Sequence, residues 1–405
     1  MKISRRTAFW LIAGGAASVI LVLVALHKPS QSVRLKDGTV LTLEEVKFGA
    51  TNTFFIGSRL ERIFWRVIPK GGFHFGRLNL QQPSKETFAD PRGEILALLF
   101  KVSGTDVLKV QHDVSLLITA EGGHEYEVSI FPTVGRTFGR NQFLFSLVSA
   151  FPRDERLLRV RVRDRKERTH SILGQFVVRN PVPPQSSSGW KTESSPILRR
   201  FGDLQLTLGD ITAEKRFPVS PGETSTLPIR VLNRQTVETN WLLHSILLRD
   251  NLGNFCSSWS FKEVHGEWLR HALSGLLDPK NVWKVEAHLA RDADFSPDQL
   301  FTFDLTIPFT ASISTNHLGV PVTIAFVNTD MLAVEIPTNL TDLRLSFVTA
   351  RNQSGQEIHD SSGNWNQHRF WRQLRLPSQG GRITATVAIH PDYPFECIVQ
   401  PRTIR

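Results

Sequence analysis

From Val33 onward the chain alternates apolar and polar residues at period two, in short runs broken by Gly, Pro, Asn and Asp. That pattern predicts a body built of β-strands. Three stretches close alike. The first is residues 157–163, a polar turn, and residues 174–181. The second is residues 282–289, a turn over 291–298, and residues 300–308. The third is residues 382–389, a turn over 390–393, and residues 394–401. Each reads as strand, turn, strand, ended by Pro. Upstream of each closing hairpin, residues 115–123, 245–253 and 343–355 read as a strand entering a Gly turn.

The repeat implies one module used three times: residues 33–180, with an insertion near 57–92, then 201–308 and 309–405. Residues 181–200, rich in Pro and Ser, read as an extended linker. Only Phe309 and Thr310 separate the last two closing prolines' modules, so those two modules are expected to hold a fixed relation. A module of about a hundred residues with short strands and regular turns resembles the immunoglobulin-like β-sandwich. The Cys…Trp…Cys spacing of true immunoglobulin domains is missing. The opening, residues 33–54, resembles that of membrane-anchored envelope proteins with no assigned activity, and transfers no site. Likeness at the level of architecture implies no function.

Ahead of this body, residues 8–26 carry no charge. As a helix they extend roughly 28 Å, close to the hydrocarbon thickness of a bilayer. Lys2, Arg5 and Arg6 precede the run, with only His27 and Lys28 just after it, which places the N-terminus in the cytoplasm and the body outside. Two alternatives compete: a cleaved signal peptide, for which a small-residue cleavage site is lacking, and a twin-arginine export signal, which Ser4 to Phe9 resembles. No Cys lies near the end of the run, which excludes a bacterial-type lipid anchor. The expected fold class is therefore mainly β: tandem immunoglobulin-like antiparallel β-sandwiches after one N-terminal transmembrane helix.

Net charge changes the partner list. At +10, a body outside the membrane suits anionic headgroups, acidic glycans or acidic proteins, and nucleic acid is not expected there. Two cysteines, Cys256 and Cys397, make no disulfide framework. Assigned to separate modules, they are expected to be buried free thiols, with a single bridge as the alternative.

Candidate chemistry is sparse. Leu60, Ile63, Phe64, Val67 and Ile68 recur at helical spacing, flanked by Arg59, Arg62, Arg66 and Lys70. A short basic amphipathic helix of this kind lies in a membrane interface, or else packs on the first module. Arg159, Arg161, Arg163 and Arg165 alternate with apolar residues and share one face of a strand, as an anion-binding ladder or a solvated face with cross-strand carboxylates. Trp259, Trp268, Trp365 and Trp371 suit sugar stacking or core packing. Asp292, Asp294, Ser296 and Asp298 alternate like the start of a calcium loop, but Pro297 and Phe303 replace its Gly and Glu. His265, Glu267 and His271 are merely close in sequence. No metal or cofactor motif is present, and none is expected.

These readings converge on a non-enzymatic, membrane-anchored binding or scaffold protein of the cell envelope with a protein partner. The alternative is a glycan-binding or glycan-processing envelope protein, which calls for a groove with exposed aromatics. Oligomeric state is not readable.

Overall fold

The computed structural model describes residues 31–56, 84–104, 107–121, 123–132, 142–166, 171–182, 189–214, 224–257, 262–273, 277–307, 312–326, 331–358, 360–374 and 381–402. The expected membrane span, residues 8–26, lies outside them. Among the described residues no helix is long and apolar enough to cross a membrane. The chain is mainly antiparallel β and divides into two compact units, Met1–Pro183 and Pro184–Arg405.

In the first unit the strands are β1 (Gln31–Arg34), β2 (Val40–Gly49), β3 (Thr51–Ile56), β4 (Ser84–Ala89) and β5 (Ile95–Ser103). Helix α1 (Val107–Asp113) follows, then β6 (Val114–Thr119), β7 (Glu125–Pro132), β8 (Gln142–Val148), β9 (Leu157–Asp164) and β10 (Ile172–Arg179). They form one antiparallel sheet in the order β1-β2-β5-β8-β7-β6-β9-β10, with β3 and β4 as a separate pair. The two ends of the long sheet meet. The Gln31 side-chain amide donates to the Val177 carbonyl at 2.5 Å and accepts from the Val177 N–H at 2.6 Å, standing in for a strand pair. Beside it Val33 lies so close to Gly174 that a Cβ there would be 2.7 Å from Val33 Cγ1. The first module is thus one sheet curled on itself rather than two separate facing sheets.

Its interior holds Leu98, Phe100, Leu116, Ile118, Val160 and Phe176. Strand β5 is apolar on both faces because its outer side, Ala97 and Leu99, is covered as well. The cover is the β3–β4 pair, whose Phe54 and Phe88 reach Phe145 with ring centroids 5.4 and 4.6 Å apart. A strand buried on both faces loses its alternation. Of the insertion expected near 57–92, residues 57–83 lie outside the described residues and the rest supplies β4.

The second unit begins with β11 (Ile197–Phe201), β12 (Leu204–Leu208), β13 (Thr212–Glu214), β14 (Thr224–Asn233), β15 (Thr236–Glu238), β16 (Trp241–Asp250) and β17 (Phe255–Ser257). It continues with β18 (Lys262–His265), β19 (Trp268–Leu273), β20 (Trp283–Arg291), β21 (Leu300–Ile307), β22 (Ile313–His317) and β23 (Val320–Phe326). The last strands are β24 (Met331–Glu335), β25 (Leu343–Asn352), β26 (Asp360–Trp365), β27 (Arg369–Leu374) and β28 (Gly381–Val399). Two cores result. One joins β11-β12-β14-β19-β18 to β17, β16, β20 and the C-terminal half of β28 through Leu206, Ile229, Leu243, Trp283 and Cys397. The other joins β22-β23-β24-β27-β26 to β25, β21 and the N-terminal half of β28 through Val322, Val334, Leu345, Phe370 and Val387.

Strand β28 is 19 residues long and serves both cores. Residues 392–399 pair with β20, from Ala290↔Asp392 to Trp283↔Val399. Residues 381–388 pair with β21, from Leu300↔Ala388 to Ile307↔Gly381. Residues 383–388 also pair with β25, so β21 and β25 take opposite edges. The hairpins expected over 282–308 and 382–401 therefore do not form. Residues 390–393 continue the strand, and β20 and β21 each pair with β28 instead of with each other. In the first unit the equivalent strands β9 and β10 do make the simple hairpin. Relative to it, the closing strands of the last two modules are exchanged.

The exchange redraws the expected division at 308/309. Leu305 of β21 packs in the second core, while Phe395, Cys397 and Val399 pack in the first. Cys256 and Cys397, assigned above to separate modules, share one core as buried free thiols. Burial pushes the Cys397 thiol up to about 12, so it stays protonated and unreactive. The C-terminal part of the expected linker is also ordered structure: it contains β11. Ahead of β11, the Glu193 N–H donates to the Ile398 carbonyl at 2.8 Å, and the Glu193 carboxylate accepts from the Ile398 N–H at 3.0 Å. These bonds cover an otherwise open strand edge.

One repeated feature is plain in all three modules. Ala120, Asp250 and Asn352 each start a turn in which their N–H donates four residues on and a Gly three residues on donates back. Gly123, Gly253 and Gly355 have φ of 83°, 87° and 78°, the left-handed region that glycine enters at no steric cost.

The tight seam between β1 and β10 yields a test. Gly174→Ala drives a methyl into Val33 and is expected to destabilise the first unit by about 1–3 kcal/mol. A lowered urea midpoint, recovered when Val33→Ala is added, would confirm the contact. An unchanged midpoint would mean the seam is loose.

Candidate functional site

The point where β28 passes from one core to the other gathers deeply buried charge. Asp392 and Arg344 are each 2 % exposed. Arg344, on β25, donates from Nε to Asp392 Oδ1 at 3.1 Å and from Nη2 to Oδ2 at 3.2 Å. His288, on β20, places Nδ1 2.8 Å from the same Oδ2. One carboxylate thus ties strands from both cores. Burial works to raise the Asp392 pKa, but the His288 bond and the Arg344 charge outweigh it and hold the group below the usual range. Removing one member of such a pair costs about 3–5 kcal/mol, because the other charge is left buried alone.

Histidines surround this pair. His244 faces His288 across β16 and β20, next to a bulge in which Ser245 has φ 51°. Bulges re-aim side chains in this way. Burial and then the Arg344 charge lower His244 to about 3. His390 is lowered to about 4, mainly by burial.

Ser346 Oγ lies 2.8 Å from His390 Nε2, which invites a nucleophile–base reading. The third group is wrong for it. His390 Nδ1 meets the Pro391 carbonyl at 3.2 Å, and the nearby carboxylate, Asp392, is bonded to Arg344 and His288. A serine base is normally oriented by a carboxylate and needs a pKa near the working pH. His390 meets neither condition, so the arrangement suits a neutral structural bond.

Beside this cluster lies a cleft of about 310 Å³. Part of its lining is aromatic: Tyr393 of β28, Phe201 of β11 and Trp241 of β16. Tyr393 stacks on Phe201, centroids 5.1 Å apart and planes 30° apart, and Trp241 stands 6.0 Å from Tyr393. Leu204 and Pro391 add apolar surface, and the polar lining includes Asp203, Asn233, Arg291, Asp294 and Gln299. Glu238 organises several of these. It accepts from Trp241 Nε1 at 2.6 Å, Arg291 Nη2 at 2.9 Å and Asn233 Nδ2 at 2.9 Å. Arg291 also donates to the Asp294 carbonyl at 3.0 Å and lies 5.1 Å over the Trp241 ring. The loop between β20 and β21 supplies Asp294 and Gln299 because the exchange carries it from one core to the other.

The residues singled out from sequence fare unevenly. Arg59, Arg62, Ile63, Phe64, Arg66 and Lys70 lie outside the described residues. Arg159, Arg161 and Arg163 do share the half-exposed face of β9, with Leu158, Val160 and Val162 buried behind them, and Arg165 follows just past the strand. Neighbours engage the ladder: Arg161 pairs with Glu125 at 3.4 Å, and Arg163 Nε donates to Ser115 Oγ at 3.2 Å. His265 and Glu267 sit on an exposed turn, Glu267 bonded to Arg230 at 2.9 Å, whereas His271 is fully buried. They are not brought together as a site. The Asp292–Asp298 loop scatters its carboxylates, with Asp292 on Lys262 at 2.5 Å. Among the described residues no group of His, Cys, Asp and Glu could hold a metal ion. Trp268 and Trp371 are half-buried, Trp371 beneath the Arg369 guanidinium at 4.2 Å.

No local pattern marks the cleft or the ion cluster: residues 390–393 carry the polar, proline-containing signature of a turn, and the 292–298 loop carries the alternating oxygens of a cation site. No protein-family model matches the chain, and no curated protein matches it.

The depressed histidines set a pH dependence. His244, His271 and His390 bind protons less readily folded than unfolded, where the ordinary value is 6.5. Their neutral form therefore supports the fold fully above that value, and stability is lost as pH falls below it. Each buried imidazole is expected to cost about 1–2 kcal/mol by pH 5. The urea midpoint of the second unit should hold steady from pH 8 to 7 and drop between pH 6.5 and 4. A flat profile over that range would contradict the burial of these rings.

Proposed function

We propose that this chain is a non-enzymatic, membrane-anchored binding protein of the cell envelope, and that the cleft at the strand-exchange point receives its ligand. The observation that carries the reading is the setting of the cleft. Its lining comes from β28, from β20 and the β20–β21 loop, and from β11, β12, β14 and β16 of the first core, and the shared strand pairs with β20 and β21 on either side of that loop. Such a cleft is pre-formed and needs little ordering when a ligand enters, which favours binding. The uncharged segment 8–26, with basic residues ahead of it, supports an anchor with the body outside the cytoplasm. The three matching Gly turns support a repeated β module.

A photo-crosslinking amino acid in place of Gln299, in the full-length chain in cells, tests the reading. The expected outcome is a discrete adduct with an envelope component, much stronger than from the same group placed at exposed His265. Equal or absent labelling at the two positions would contradict it.

A further inference from the structure

The cleft's chemistry narrows what it can hold. Its cation is already spent: Arg291 is neutralised by Glu238 and lies over Trp241, so it does not offer an open site to an anion. Asp203 and Asp294 are exposed, Asp203 sharing its charge with Arg234 at 2.9 Å. An anionic ligand would meet these carboxylates and be repelled. A purely apolar one would bury them without partners, at a cost of a few kcal/mol. A cation would pair with the carboxylates alone, whereas a neutral molecule with one flat apolar face and hydroxyl donors around its edge uses both them and the Tyr393 ring.

We infer that the cleft binds a neutral carbohydrate of one or two rings, its C–H face on the Tyr393 ring and its hydroxyls donating to Asp294 and Asp203. Three features agree. Tyr393 is held in orientation by its stack on Phe201, so the ring is presented without an entropic penalty for fixing it. Carboxylates accept from hydroxyls in charge-assisted bonds, roughly twice as strong as neutral ones. A volume of about 310 Å³ suits a ligand of that size. This inference rests on the binding reading above and assigns the class of ligand to the same cleft.

Titration calorimetry on the full-length chain, in a detergent without a sugar headgroup, tests it with cellotetraose, maltotetraose and chitotetraose, and with tetralysine as a cationic probe. At least one saccharide is expected to bind, and to bind at least tenfold more weakly to Asp294→Asn with Asp203→Asn. Both substitutions are on exposed positions and should leave the urea midpoint unchanged. Tyr393→Ala should abolish binding, but the paired Asn variant decides the matter if Tyr393→Ala misfolds. Failure of every saccharide to bind, equal binding by the Asn variant, or binding of tetralysine alone would overturn the carbohydrate assignment. An adduct from position 299 alongside such a failure would leave the cleft a binding site for another class of ligand. Loss of both would overturn the binding reading as well.

Discussion

A buried strand must satisfy hydrogen bonds on both edges along its whole length, and β28 does so by drawing partners from both halves of the second unit. Its N-terminal half is flanked by β21 and β25. Its C-terminal half has β20 on one edge and the Glu193 and Arg199 contacts at Ile398 and Glu396 on the other. Because the strand runs straight through, neither core can be completed by its own contiguous sequence. The first lacks the strand that β28 supplies, and the second lacks β21.

That dependence explains why charge is buried where it is. At the crossing, His390, Asp392 and Arg344 lie too deep for water, with 1 %, 2 % and 2 % exposure. Unpaired, each would be strongly unfavourable. Paired, they specify register, since a slip of one residue would carry Asp392 away from both His288 and Arg344. The same register brings Pro391 and Tyr393, which flank Asp392, to the cleft. Structural ion cluster and candidate binding site are two consequences of one strand alignment.

Much of the β architecture was legible. Alternation located β9, β16, β20 and β25, and the Gly turns at 123, 253 and 355 were visible as punctuation. What misled was the segment His390-Pro391-Asp392-Tyr393. Polar residues with Pro between two apolar runs are the usual mark of a turn. Here the polar groups are interior, and their partners are remote: Asp392 meets residues 48 and 104 positions away. No local pattern carries that information. The cleft was hidden for the same reason, since Phe201, Trp241, Asp294 and Tyr393 come from four separated stretches. The alternation of the Arg159–Arg165 ladder, by contrast, is a local property, and its shared face on β9 could be read directly.

The central claim is that β28 is continuous through residues 390–393. Amide hydrogen exchange resolved to single residues tests it most directly. A continuous strand predicts slow exchange at Ile389, His390, Asp392 and Tyr393, similar to Val387 and Cys397 and lost together with them as denaturant rises. Fast exchange at 390–393 between two protected flanks would show a turn, and with it two self-contained modules and no exchange of strands.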